Sequence, residues 1–150
     1  MKKYILPVFV FMVVCITSWA FSSSMQAPTQ KLTSSCPQEL AGQWEGIYFY
    51  KDKSSSHIPT QFTLFVDSVS DNHFSGHIVE PRTNWGPEYL KEFQASFEGN
   101  CEGSSINFVK TYLFPNGHSI NYSGKLANSK IHGQWTVGSD WGGTWKASKL

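Results

Sequence analysis

The chain has 150 residues, of which 15% are aromatic and 15% charged, and carries a formal charge of +1 at pH 7. That length suits one domain with one core, and the near-neutral charge excludes the basic field through which proteins hold nucleic acid. A small protein so rich in rings either packs them in a barrel interior or presents them to a ligand.

Lys2 and Lys3, the apolar run from Ile5 to Ile16 and the small-x-small triplet Ser18-Trp19-Ala20 have the order of a signal peptide over residues 1–20. Cleavage after Ala20 makes the protein exported, periplasmic or secreted, and the apolar run is too short for a membrane span. Without Lys2 and Lys3, ten Lys and Arg face eleven Asp and Glu, for a charge of −1. Residues 21–35 are rich in Ser, Thr and Gln, have no period and read as a flexible leader. The folded domain is expected over 36–150. Cys36 and Cys101 are the two cysteines left, and an even pair in an exported chain reads as one disulfide.

Pro37 sets φ for a first helical position, and Gln38-Glu39-Leu40 completes one turn, 3₁₀ or α, before Gly42 ends it, which gives a short N-terminal helical plug. From Trp44 the period is two: Trp44, Gly46, Tyr48 and Tyr50 share one face, Glu45, Ile47 and Phe49 the other. Further alternating stretches follow, separated by turn signals. They are Thr60 to Val69 (Phe62, Leu64, Val66), His73 to Glu80 (Phe74, Gly76, Ile78) and Lys91 to Glu98 (Phe93, Ala95, Phe97). Next come Ser105 to Leu113 (Ile106, Phe108, Lys110, Tyr112), His118 to Leu126 (Ile120, Tyr122, Gly124, Leu126), Lys130 to Val137 (Ile131, Gly133, Trp135, Val137) and Gly143 to Lys149.

Eight strands of similar length with hairpin connections describe an all-β antiparallel up-and-down barrel, or else a two-sheet sandwich. Closure is favoured because it removes exposed edges, and because Gly46, Gly76, Gly124 and Gly133 fall on the inward faces, where small residues let strands coil. Strands that alternate in direction bring the start of the first strand and the fourth-to-fifth connection to the same end, where Cys36 and Cys101 meet. The opposite end, a mouth, collects the long connections Lys51 to Pro59 and Pro81 to Leu90.

The mouth is one candidate site: Trp85, Tyr89 and Trp141 lie on loops near His57, Arg82, Asn84 and Asp140. The lumen is the other, lined by Tyr48, Tyr50, Phe62, Tyr122 and Trp135. If the face that carries Phe108 and Tyr112 points inward, Lys110 is buried and needs an anion, either Glu80 or the carboxylate of a bound acid. A slip of one residue instead turns Asn107, Val109, Thr111 and Leu113 inward and leaves Lys110 in solvent. The ligand-binding set expected from the two regions is Tyr48, Tyr50, Trp85, Tyr89, Lys110, Tyr112, Tyr122, Trp135 and Trp141. No metal site is expected, since His73 and His77 share a strand face but stand about 13 Å apart at strand rise. No cofactor is expected, and no catalytic residue is assigned, because no nucleophile elbow, metalloprotease or phosphate-loop motif is present.

A turn of helix running into Gly42-Gln43-Trp44 resembles the opening of the calycins, the lipocalin and avidin kind of barrel; the same tripeptide form recurs at Gly133-Gln134-Trp135 and Gly143-Thr144-Trp145. The resemblance implies that Trp44 packs at the closed end under a basic residue of the last strand, Lys146 or Lys149. Cys36, Leu40, Gly42, Trp44 and Phe74-Ser75-Gly76 are similar to the avidin pattern, whereas Glu45-Gly46 replaces the polar residues with which avidins grip biotin. By fold analogy the function is that of a non-enzymatic binding protein for a small hydrophobic or amphipathic ligand. The other reading takes a protein partner: an interaction or protease-inhibitor-like barrel that acts through residues 21–35 or through its mouth loops.

Overall fold

The computed structural model describes residues 35–52, 57–83 and 86–150. The expected signal peptide, the leader up to residue 34, Asn84 and Trp85 lie outside the described residues. Eight strands follow a single 3₁₀ turn at Gln38–Leu40: β1 (Gly42–Tyr50), β2 (Thr60–Ser70), β3 (His73–Pro81), β4 (Glu92–Glu102), β5 (Ser105–Tyr112), β6 (Ser119–Ala127), β7 (Lys130–Val137) and β8 (Trp141–Lys149). Each strand pairs antiparallel with the next and β1 pairs with β8, so the sheet closes into a barrel in chain order. The sandwich alternative is thereby excluded.

Two expectations need correction. The helical plug is no helix but one 3₁₀ turn of three residues, because both Pro37 and Ala41 are extended (ψ 128° and 142°) and Gly42 turns the chain at φ +110°. Trp141 is not on a loop but opens β8 opposite Val137, because Gly138 at φ +59° lets the hairpin turn early. β4 also runs beyond Glu98 to Glu102, in register with β5.

The inward faces are those read from the period. Trp44, Leu64, Phe74, Phe93, Ala95 and Ile131 are completely buried, and Phe97, Phe108 and Trp145 are nearly so. What lets so many rings fit is their pairing with glycine across the ladders. Gly46 faces Phe62, Gly76 faces Phe97, and in the last hairpin Gly133 faces Trp145 while Gly143 faces Trp135. The repeated Gly-x-Trp is therefore reciprocal: two antiparallel strands with the same tripeptide put each glycine opposite the other strand's indole. A Cβ on Gly133 would lie 2.6 Å from the Trp145 indole nitrogen, and one on Gly143 would lie 2.8 Å from that of Trp135. The indole N–H groups of Trp44, Trp135 and Trp145 donate to the carbonyls of Leu40, Phe49 and Ser123 at 2.9, 3.0 and 2.9 Å, so the buried rings leave no donor unmatched.

One end is closed. The Cys36–Cys101 disulfide joins the entry of β1 to the end of β4 with Cα atoms 5.0 Å apart. The backbone amides of the same two cysteines bond the carbonyls of Asp71 and Asn72 in the β2–β3 turn. With its cysteines 65 positions apart in sequence, the bridge stabilises the fold by about 4 kcal/mol on the chain-entropy account. Lys149 places its ammonium 5.6 Å over the Trp44 ring and donates to the Glu39 carbonyl, while Lys146 lies on the outer side over Phe49.

Candidate functional site

At the closed end the barrel is filled. Phe74, Phe97, Phe108, Tyr122 and Trp145 pack against one another stacked, tilted or edge-on, with centroids 4.8 to 5.9 Å apart. In the mouth half a cavity of about 770 Å³ opens to the outside, bounded by inward rings and, at its edge, by the outward side chains of Ile47 and Gln61. Its walls include Tyr48, Tyr50, Thr60, Tyr112, Ile120, Tyr122 and Trp135, and its rim includes His57, Arg82, Thr83, His118 and Trp141. That volume lies within the range of small-molecule sites.

The rings of the wall form one network. Tyr48 and Tyr50 both meet Trp135 edge-on, at 5.8 and 5.3 Å, and Tyr50 stacks on His57 at 4.7 Å. His57 in turn meets the edge of Trp141 at 5.6 Å and lies 3.9 Å from Asp52, so the residues before β2 rest on the neighbouring ends of β1 and β8. Trp141 remains 49% exposed.

Beneath the cavity is a buried polar trio. Lys110 and Glu80 are 1% and 2% exposed, and their Nζ and Oε2 atoms stand 2.6 Å apart. The Lys110 ammonium also donates to the Tyr112 hydroxyl at 2.9 Å, and that hydroxyl donates to the second Glu80 oxygen. Glu80 is on β3 and the other two are on β5, so the trio must reach past β4. It does so over Ala95, which pairs with Ile78 on one side and Tyr112 on the other and fills its place with a single methyl. Burial lowers the Lys110 pKa and the Glu80 charge opposes that shift. Burial raises the phenols of Tyr48, Tyr112 and Tyr122 well above their ordinary value, and Glu80 adds to the effect. His118, on the rim, has its pKa lowered by burial and then by Lys110. The Thr83 Oγ1 atom is buried with no hydrogen-bond partner among the described residues, an arrangement that costs about 1–3 kcal/mol.

The sequence-derived set is thus divided. Tyr48, Tyr50, Tyr112, Tyr122, Trp135 and Trp141 come together around the cavity. Lys110 is inward, which settles the register, but it lies under the cavity and its charge is met by Glu80. Tyr89 does not line the cavity; it is 74% exposed on the β3–β4 connection. Reasoning from sequence missed Thr60, Thr83 and His118. Thr60 was legible, being in phase with Phe62 and Leu64, and His118 is in phase with Ile120 and Tyr122; Thr83 lies in a connection and carries no period. Among the described residues no three of His, Cys, Asp and Glu come together as a metal site, and no helix is long and apolar enough to cross a membrane.

Fold and site together define a closed eight-stranded antiparallel barrel, sealed at one end and hollow at the other. Among solved structures the chain is similar to a redesigned beta barrel, with a TM-score of 0.59 at 11% identity over 75% of this chain and 92% of that one, a likeness of fold. No family model and no curated protein matches the chain.

Proposed function

We propose that this protein is an exported, non-enzymatic binding protein that holds a small apolar or amphipathic molecule in the mouth half of its barrel. The observation that carries the reading is the cavity of about 770 Å³, walled by tyrosine and tryptophan rings above a fully packed floor. A barrel that needed only stability gains by filling that space, since cavities cost packing energy. The disulfide suits an oxidising compartment, in keeping with the signal-like residues 1–20. The calycin resemblance draws support from the turn ahead of Gly42-Gln43-Trp44 and from Lys149 over the Trp44 ring.

The test is native purification followed by organic extraction and mass spectrometry, with N-phenyl-1-naphthylamine titrated into the extracted protein. Extraction is expected to release a small molecule, and the stripped barrel is expected to take up the probe with a change in tryptophan emission. Tyr50→Ala and Trp135→Ala are expected to weaken uptake about tenfold each, whereas deletion of residues 21–35 leaves it unchanged. The exposed rings of Trp141 and Tyr89 favour one rival, a barrel that meets a protein partner at its mouth. An extracted barrel that neither releases a molecule nor takes up the probe decides for that rival.

A further inference from the structure

We infer that Glu80 is the residue that sets the specificity of the cavity: by cancelling Lys110 it makes the site accept uncharged, ring-bearing molecules and reject acids at its inner end. The inference rests on the reading that the cavity holds a ligand.

A lysine pointing into an aromatic lumen is by itself an invitation to a carboxylate. Here the invitation is already taken up. The Lys110 ammonium has Glu80 at 2.6 Å and the Tyr112 hydroxyl at 2.9 Å, and Tyr112 closes the ring of bonds onto the second carboxylate oxygen. Wherever the proton sits in that trio, its net charge is zero. Of the three, Tyr112 borders the cavity, and its hydroxyl is turned down into the trio, so that the ligand meets the ring.

The remaining polar groups of the inner wall are also neutral. Tyr48, Tyr50 and Tyr122 hold their protons, and burial together with Lys110 works against a charge on His118. Arg82 is the one Lys or Arg among the described lining residues, and it is exposed at the rim. An anion pushed to the inner end sheds its hydration and finds no free cation, which is strongly unfavourable. A hydroxyl, carbonyl or amide group fares differently, because moving a neutral polar group out of water costs far less than moving a charge. Rings of the ligand stack or meet edges with Tyr50 and Trp135. The class is therefore a flat neutral aromatic with one hydrogen-bonding group, any acidic substituent being kept outside beside Arg82.

The experiment compares 2-naphthol with 2-naphthoate, one ring system with and without a charge, by calorimetry at pH 7 on the extracted protein. The native barrel is expected to bind the naphthol about tenfold or more tighter. In Glu80→Gln the freed Lys110 is expected to reverse that order. The double variant Glu80→Gln/Lys110→Met, which buries no charge and keeps similar volumes, is expected to preserve the native preference to within about threefold, and it decides the matter should the single variant fail to fold. Naphthoate binding that equals or exceeds naphthol binding in the native protein overturns the inference while leaving the cavity a ligand site, as does a double variant in which the preference for naphthol collapses. Failure of both probes to bind overturns the inference together with the ligand reading on which it rests.

Discussion

At the scale of single residues, the pair beneath the cavity has consequences for stability that run opposite to its appearance. Two charges moved out of water lose hydration worth several kcal/mol each, and a contact of 2.6 Å with a tyrosine bridge does little more than offset the loss. Lys110→Met alone or Glu80→Gln alone strands the remaining group in a site with almost no solvent, and each is expected to cost about 3–5 kcal/mol in urea unfolding. The double variant, which strands no charge, is expected to be more stable than either single variant and within about 2 kcal/mol of the native protein. Singles as stable as the native barrel contradict this account, since they mean that water reaches the trio.

The reciprocal glycines matter at the scale of the strand pair. In the β7–β8 hairpin, a Cβ on Gly133 would sit 1.8 Å from the Ser123 carbonyl oxygen, a backbone atom of the neighbouring strand that cannot withdraw without breaking the ladder. On β1, a Cβ on Gly46 would meet the tip of the Phe62 ring at 2.2 Å, and a ring tip can swing. Gly133→Ala is therefore expected to lose about 3 kcal/mol and Gly46→Ala about 1, read from the shift in denaturation midpoint at unchanged slope. Equal losses at the two positions argue that strand separation, not side-chain crowding, absorbs the added methyl. The small residue Ala95 plays a related part on β4, since a larger side chain there fills the space through which Glu80 reaches Lys110 and Tyr112.

For the whole molecule the buried phenols set the alkaline limit. Tyr48, Tyr112 and Tyr122 have folded pKa values above the ordinary 10.0, so the folded state holds three protons that the unfolded chain releases. Their contribution is complete below pH 10 and is lost as the pH rises above it, with a slope of about 4 kcal/mol per pH unit for three protons. Lys110 acts in the opposite sense: its lowered value means that the folded state binds fewer protons below pH 10.5, which adds at most one proton's worth of stability as that value is approached from below. The three phenols prevail above pH 10, and a domain of ordinary stability, about 5–15 kcal/mol, unfolds within a few units. Phenolate absorbance followed alongside near-ultraviolet circular dichroism is expected to show these tyrosines ionising together with the loss of the folded signal. Gradual ionisation near pH 10 with that signal intact tells against their burial.

The period of two determined which side chains point inward, because in a strand the face of a residue depends only on its parity. Phe62, Phe74, Phe108, Tyr122 and Trp135 were legible for that reason, as was the meeting of Cys36 with Cys101, which follows from strands that alternate in direction. Tertiary structure decided what parity cannot: how far across the barrel each inward side chain reaches. Rings from several strands meet at the Trp145 end and fill it, whereas beside Tyr48 and Trp135 a cavity of about 770 Å³ stays open. The fate of Lys110 was decided in the same way. Sequence could name Glu80 as a partner on the same inward surface, but the contact depends on the small Ala95 between two non-adjacent strands and on Tyr112 closing the bonds, a matter of distances across the lumen and not of order along the chain.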